Sequence, residues 1–344
     1  MKALICGDVH WSKFSSIVRM VEDKMSYRLK NLIESVNFVE RTAEQNDCDM
    51  IIYLGDFFDD VSLSAMELSA LSEVQWSTIP KYFLVGNHEI EHSEYIYSTV
   101  DVFKGRNSIF NVVSSPTVMS VDDFSKFYFM PYTNEPYDDK LIDLKNNIIG
   151  KIYLFSHNDI SGIQYGNYVS TFGFNLDTLR DSCCMCFNGH LHNASRYDNV
   201  INVGNLTGQN FSEDASKYPH GVYLLNTETS TYRFIENDCA MKFYSLDLSN
   251  CSEDEIVHTL KTLPKNSVVS VTANSDSLDI IKSTIKECEK IIAHKITLSG
   301  NMKTEFTTEV KDTTVDYKSL YYEYIKNKYM NTPFVEEELA EVCK

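Results

Sequence analysis

Aspartate, asparagine and histidine, the side chains that hold borderline metal ions, recur in short segments along this chain. The segments are Asp8-Val9-His10, Gly55-Asp56-Phe57-Phe58-Asp59, Gly86-Asn87-His88, Ser156-His157-Asn158 and Gly189-His190-Leu191-His192. Two divalent cations held a few ångströms apart can position a hydroxide and stabilise the equatorial oxygens of a phosphate under in-line attack. Such a centre needs one carboxylate able to bridge both ions, with imidazoles and oxygen donors completing each shell. Asp56 can bridge, and Asp8, His10, Asn87, His157, His190 and His192 can supply the rest. Two dications carry about +4, and Asp8, Asp56 and a bridging hydroxide return about −3, which leaves a local surplus near +1 that attracts a phosphate. Mixed imidazole and carboxylate ligands suit Mn²⁺, Fe²⁺ or Zn²⁺ better than Mg²⁺ or Ca²⁺.

The elements that position these ligands are legible in what precedes them. Ala3 to Cys6, Met50 to Leu54, Tyr82 to Val85, Ile152 to Phe155 and Cys183 to Phe187 are continuous apolar runs of strand length. A run of this kind reads as a strand covered on both faces. Every candidate ligand therefore sits at a strand end, and in open α/β sheets the ligand crevice lies beyond the carboxyl ends of the strands. Between the runs, Met25 to Gln45 predicts a helix with Met25, Leu29, Leu32, Ile33, Val36 and Val39 on one stripe. Ser62 to Trp76 predicts a second, with Leu63, Met66, Ala70, Leu71 and Val74 facing inward. Both stand where crossover helices of β-α-β units belong. From Asn199 the texture changes to short strands, Val200 to Val203, Gly221 to Leu225 and Thr231 to Ile235, which suggest a second sheet packed on the first.

Further on, Lys242 to Leu248, Ser267 to Thr272 and Ile291 to Leu298 read as strands separated by helices at Glu253 to Leu263 and Ser277 to Glu289, a small α/β domain. Residues 299–315 are polar, Thr-rich and aperiodic, as a tether would be. The chain ends in a predicted helical pair, with Tyr317, Leu320, Tyr321, Tyr324 and Ile325 on one face of the first helix and Thr332-Pro333 opening the second. The expected domains are thus 1–240, 241–298, a linker at 299–315 and a helical segment at 316–344.

Composition narrows the class. A chain of 344 residues that is 43% apolar can bury a sizeable core. Its nine cysteines are irregularly spaced, and Cys183, Cys184 and Cys186 fall inside a predicted strand, which argues against a disulfide framework and for small core residues. No apolar run reaches membrane-spanning length, so a cytoplasmic enzyme is expected. With 49 acids against 31 bases the formal net charge is −18, which repels nucleic acid over most of the surface. Chemistry on DNA would need compensation from metals, a local basic groove or a partner subunit.

At these segments the chain resembles the calcineurin-like metallophosphoesterases, whose pattern is Asp-x-His, Gly-Asp-x-x-Asp, Gly-Asn-His-Asp/Glu, a lone His and Gly-His-x-His. The resemblance implies a two-sheet α/β sandwich flanked by helices. It also implies one metal on Asp8, His10, Asp56 and His192, and another on Asp56, Asn87, His157 and His190. His88 is similar to the family's catalytic histidine, and Asp59 to the carboxylate that orients it. A carboxylate nearby would stabilise the imidazolium and help it act as an acid. Beyond His192 the resemblance narrows to the SbcD-type DNA-repair nucleases and their phage relatives. The loop from Asn202-Val203-Gly204-Asn205 through Phe211-Ser212-Glu213, the segment His220 to Thr229, and the order of capping domain, tether and helices carry it. It implies a Mn²⁺-dependent exo/endonuclease of recombination and repair, with DNA as substrate and an ABC-type coiled-coil ATPase docked on the C-terminal helices. It further implies a possible homodimer, in the host cytoplasm if the gene is a phage's. A calcineurin-like phosphatase, a cyclic-nucleotide phosphodiesterase and a noncatalytic scaffold are the competing readings.

Overall fold

The computed structural model describes the chain except residues 19–20, 23–24, 92–96, 106, 134–137, 148–149, 166–167, 300–303 and 308–344. Residues 1–308 form one compact unit. The predicted helical pair at 316–344 lies outside the described residues, as does most of the 299–315 linker.

Two six-stranded sheets build the sandwich. In the first, Lys2–Cys6, Met50–Tyr53, Lys81–Leu84 and Phe110–Val113 run parallel. Gly221–Asn226 then pairs antiparallel with Lys2–Cys6, and Thr231–Glu236 completes that edge. In the second, Ser125–Met130, Lys151–Ser156, Met185–Asn188 and Val200–Asn202 run parallel. Thr117–Ser120 and Ser195–Tyr197 flank them antiparallel.

Side-chain alternation divides each buried strand between two cores. Ala3, Ile5, Ile52 and Leu84 face Phe127, Phe129, Tyr153, Phe155 and Phe187 of the other sheet. Leu4, Cys6, Ile51, Tyr53 and Phe83 point the opposite way, onto Leu29, Leu32, Val36 and Val39. Those four belong to helix Tyr27–Gln45, whose N-cap Ser26 accepts the Leu29 N–H. The outer face of the second sheet, with Tyr128, Leu154 and Cys186, is covered by Leu141 and Leu179 from its own helices.

Three expectations need correction. The strands after Asn199 do not form the second sheet by themselves: Val200–Asn202 joins it, but Gly221–Asn226 and Thr231–Glu236 extend the first. The second sheet is instead built largely on Lys151–Ser156 and Met185–Asn188, so the ligand-bearing strands are shared between two sheets. Next, the helix expected from Ser62 to Trp76 spans only Ala65–Leu71, because the Ser64–Glu67 capping box starts it late. Met66 is exposed, whereas Ala70, Leu71 and Val74 are buried. Finally, Thr304–Thr307, expected within the tether, is a strand paired antiparallel with Ile291–Leu298. Its β-branched and aromatic composition favours that state.

Lys242–Asp247, Ser267–Ala273 and Ile291–Leu298 form a parallel sheet, with Thr304–Thr307 on its edge. One face of it (Val269, Val271, Ala273, Ile296) packs on Ile256, Leu260, Ile281 and Ile285 of two helices. The other face (Phe243, Val268, Ala293) packs with Met241 and Val18. This small body is thus seated on the segment that follows the first candidate ligands. All eight described cysteines are free thiols. Among the described residues no helix is long and apolar enough to cross a membrane.

Candidate dinuclear metal site

The sandwich brings the carboxyl ends of strands from both sheets to one crevice. Asp8 and His10 follow Lys2–Cys6, Asp56 follows Met50–Tyr53, and Asn87 and His88 follow Lys81–Leu84. His157 and His190 follow Lys151–Ser156 and Met185–Asn188 across the sandwich. The loops interlock: Val9 and His10 N–H groups both donate to the Asp56 carbonyl, at 3.1 and 2.9 Å, and Trp11 N–H donates to Phe57 O at 2.7 Å. Below them the aromatic rings of Phe57, Tyr53, Phe83 and Phe103 pack edge-to-face and stacked at centroid distances of 4.4 to 5.5 Å.

Backbone strain collects at this point. His10, Asp56 and His190 have φ of 50°, 46° and 71°. Left-handed backbone is uncommon outside glycine and persists where the surroundings enforce it. The glycines of the motifs are there for room. A Cβ on Gly86 would stand 2.1 Å from Asp56 Oδ1, and one on Gly55 would stand 2.4 Å from His157 Nδ1.

Both buried aspartates are held in the same manner. Asp8 Oδ1 accepts the His190 N–H at 3.0 Å, and Asp56 Oδ1 accepts the His88 N–H at 3.0 Å. Each keeps its second oxygen for another partner. Asp8 Oδ2 is buried and meets no hydrogen-bond donor, and Asp56 Oδ2 lies 3.1 Å from His157 Nε2. The histidines are oriented from behind. His10 Nδ1 donates to Asp59 Oδ1 (2.9 Å), His157 Nδ1 to Leu54 O (2.8 Å) and His192 Nδ1 to Glu213 Oε1 (3.1 Å). Carboxylate and carbonyl oxygens only accept, so the proton of each ring sits on Nδ1 and the Nε2 lone pair turns into the crevice.

The lone pairs then meet one another. His10 Nε2 and His192 Nε2 are 3.2 Å apart, and Asp8, His10 and His192 form one close group. Asn87 Oδ1 is 3.2 Å from His157 Nε2 and 2.9 Å from His190 Nδ1, and Asp56, His157 and His190 form another group. Asp56 also groups with His10 and His88. Two ligands on one ion at about 2.1 Å each, subtending roughly a right to a tetrahedral angle, stand about 3.0–3.4 Å apart. Acceptor pairs at 2.9 to 3.2 Å with an orphaned carboxylate oxygen beside them therefore fit a pair of cations, one on the Asp8, His10, His192 side and one on the Asn87, His157, His190 side, with Asp56 between.

The electrostatics agree. Burial pushes the His157 pKa down, but without a cation the carboxylates of Asp56 and Asp8 outweigh it and raise the value to about 9, so a bound cation would take the place of the Nε2 proton. At Asp56 burial raises the pKa, yet His157 and the neighbouring His10 and His88 hold it below the usual carboxylate range. The crevice stabilises positive charge.

Asp59 stands between His10 and His88. Its carboxylate lies on His10, and it reaches His88 at 3.9 Å. His88 Nδ1 instead donates to the Asp59 backbone carbonyl at 3.0 Å. The reason is the turn Phe57-Phe58-Asp59, which points the Asp59 side chain at the first ligand pair and its carbonyl outward. The His88 ring stands 4.9 Å from that of His10 and is 41% exposed, so it borders the crevice at a place a substrate can reach.

Three acids complete the site: Glu89 and Glu213 stand in a motif and a loop that the sequence shows without assigning them a role, and Asp159 lies outside every motif. Glu213 is buried and also accepts the Gln209 N–H (2.8 Å) and Asn210 Nδ2 (3.0 Å). Its only sequence signal is its place at the end of the loop after His192. Glu89, next to His88, accepts the backbone N–H groups of Phe58 (2.9 Å) and Gly86 (2.8 Å), so it clamps two ligand loops together. Burial and Asp56 raise its pKa to about 8. Asp159 lies 3.4 Å from His190 Nε2, two residues beyond His157.

The family model described as calcineurin-like phosphoesterase matches residues 1–228. Among solved structures the chain is similar to an archaeal phosphodiesterase, at 14% identity over 69% of this chain and 100% of that one, with a TM-score of 0.34. It is also similar to a dimetal phosphatase from Danio rerio, at 11% identity over 65% and 91%, with a TM-score of 0.42. A third is the calcineurin-like phosphoesterase YfkN from Bacillus subtilis, at 9% identity over 69% and 88%, with a TM-score of 0.38. No curated protein sequence matches the chain.

Proposed function

Because the chain belongs to the calcineurin-like phosphoesterase family, we propose that it is a metal-dependent DNA nuclease that hydrolyses phosphodiesters and works with a coiled-coil ATPase in the cytoplasm. Asp8, His10, Asp56 and His192 would hold one ion, and Asp56, Asn87, His157 and His190 the other, most suitably Mn²⁺. When bound, the pair supplies Lewis-acid stabilisation of the phosphoryl oxygens and lowers the pKa of the attacking water.

The remaining work falls to His88. In its charged form it donates Nδ1–H to the Asp59 carbonyl and presents Nε2–H to the leaving oxygen. As the bond from phosphorus to that oxygen breaks, the Nε2 proton passes to the oxygen. The hydrogen bond to the carbonyl keeps the other proton on Nδ1, which fixes the neutral tautomer left behind. The Asp59 carboxylate stands 3.9 Å from the same Nδ1.

The observation that carries DNA over a small phosphoester is the extra α/β body and where it attaches. Gly208 N–H donates to Met241 O and Ala215 N–H to Phe243 O, so this body is bonded to both ends of the loop that bears Glu213 and holds His192. A polymer that passes the crevice needs such a wall beside the metals; a small monoester does not. The test is incubation of the full chain and Mn²⁺ with single-stranded and duplex DNA ends, and separately with a chromogenic phosphomonoester, with and without the ATPase. DNA cleavage is expected; robust monoester turnover with DNA left intact in every mixture refutes the nuclease reading.

A further inference from the structure

We propose that the cavity beside His10 and Asp59 is a subsite for the nucleotide unit flanking the scissile phosphate, an inference that rests on the nuclease reading above. It holds about 180 Å³ and is walled by His10, Phe14, Arg28, Asp59, Gln209 and Asn210. Pockets for whole drug-sized ligands run to roughly 300–1,000 Å³, so this one takes a fragment such as a sugar-phosphate. His10 of the first ligand group and its partner Asp59 form part of its wall, so the cavity adjoins the metal site.

The wall chemistry is that of a phosphate and a base. Arg28 is buried at 3% exposure on helix Tyr27–Gln45, and its Nη1 donates to Gly208 O at 2.9 Å. A guanidinium carries five N–H donors in a fork that matches phosphate oxygens. The acids nearest in its field are Glu213 and Asp59, and each already accepts from a ligand histidine, His192 or His10. Gln209 adds a buried side-chain amide nitrogen with no acceptor. Phe14 lines the same cavity while 72% exposed, which leaves a ring face for a base to stack on. In a chain of net charge −18, a cation buried beside the metals is the local compensation that a nucleic acid substrate requires.

The test is calorimetric binding of the dinucleotide pTpT to the Mn²⁺-loaded full chain, its Phe14→Ala variant and its Arg28→Met variant, with turnover of bis(p-nitrophenyl) phosphate measured on each. Phe14→Ala is expected to weaken pTpT at least about fivefold through lost stacking, and Arg28→Met about tenfold or more through the lost charged donors. Turnover of the small diester, which carries no second phosphate and no nucleobase, is expected to stay within about twofold. Phe14 sits at an exposed position, so its variant decides the matter if Arg28→Met unfolds. Equal pTpT affinity in wild type and Phe14→Ala, no pTpT binding by wild type, or an equal loss on the small diester overturns the subsite. Cleavage of DNA ends is scored apart: intact DNA with the affinity pattern present sinks the nuclease reading alone, and cleavage without the pattern sinks the subsite alone.

Discussion

Glu213→Gln should weaken the metal held by His192 while the chain stays folded. Three donors converge on this buried carboxylate: His192 Nδ1 and Asn210 Nδ2 on Oε1, and Gln209 N–H on Oε2. Glutamine keeps the volume but offers one acceptor oxygen and one NH₂, so one side of the group must face donor against donor. A hydrogen bond to a charged group contributes about 1.5–3 kcal/mol, and the loss falls on the contact that sets the His192 tautomer. Carboxylates that orient a ligand histidine typically govern metal affinity by about 10–100-fold, or roughly 1.4–2.8 kcal/mol. Isothermal titration with Mn²⁺ reads both sites, and thermal melting of the metal-free protein reads the fold. We expect the weakening at one site only, with the site on Asn87, His157 and His190 unchanged. Equal Mn²⁺ affinities in variant and wild type would refute the reasoning, because they would show that the His192 orientation does not depend on Glu213.

Asp59→Asn should reduce Mn²⁺ affinity on the Asp8 and His10 side about tenfold or more, since its carboxylate lies 2.9 Å from His10 Nδ1; loss of turnover with metal affinity unchanged would mean it serves His88 alone. Gly86→Ala places a Cβ 2.1 Å from Asp56 Oδ1, so titration should find both ions weakened, and two wild-type affinities would contradict the bridging role of Asp56. Deletion of residues 316–344 should leave intrinsic Mn²⁺-dependent cleavage and abolish co-purification with the ATPase; an unchanged complex counts against docking through those residues.

The candidate crevice was legible because parallel strands buried on both faces leave continuous apolar runs, and each run ends on a ligand. Ile5 and Leu4 illustrate the limit: the run says both are buried, but only the packed sheets tell that one faces Phe155 and the other helix Tyr27–Gln45. Sheet membership is a long-range choice, so Gly221–Asn226 read as part of a second sheet although its register lies against Lys2–Cys6. The strands Phe110–Val113 and Ser125–Met130 carry no ligand and passed unnoticed. Asp159 was silent for the same reason, and Glu213 and Glu89 were visible without their roles, because those roles come from loops that meet only in the fold. The Asp59 turn shows the converse case, where the motif names the residue and the backbone direction decides which histidine it serves.

The most direct test is Mn²⁺ stoichiometry and DNA-end cleavage measured together on the wild type and His88→Gln. The account predicts two ions per chain in both proteins, with cleavage by the variant lower by about 10²–10⁴-fold, the usual contribution of a positioned acid. A single ion in the wild type, or loss of an ion along with His88, would contradict it.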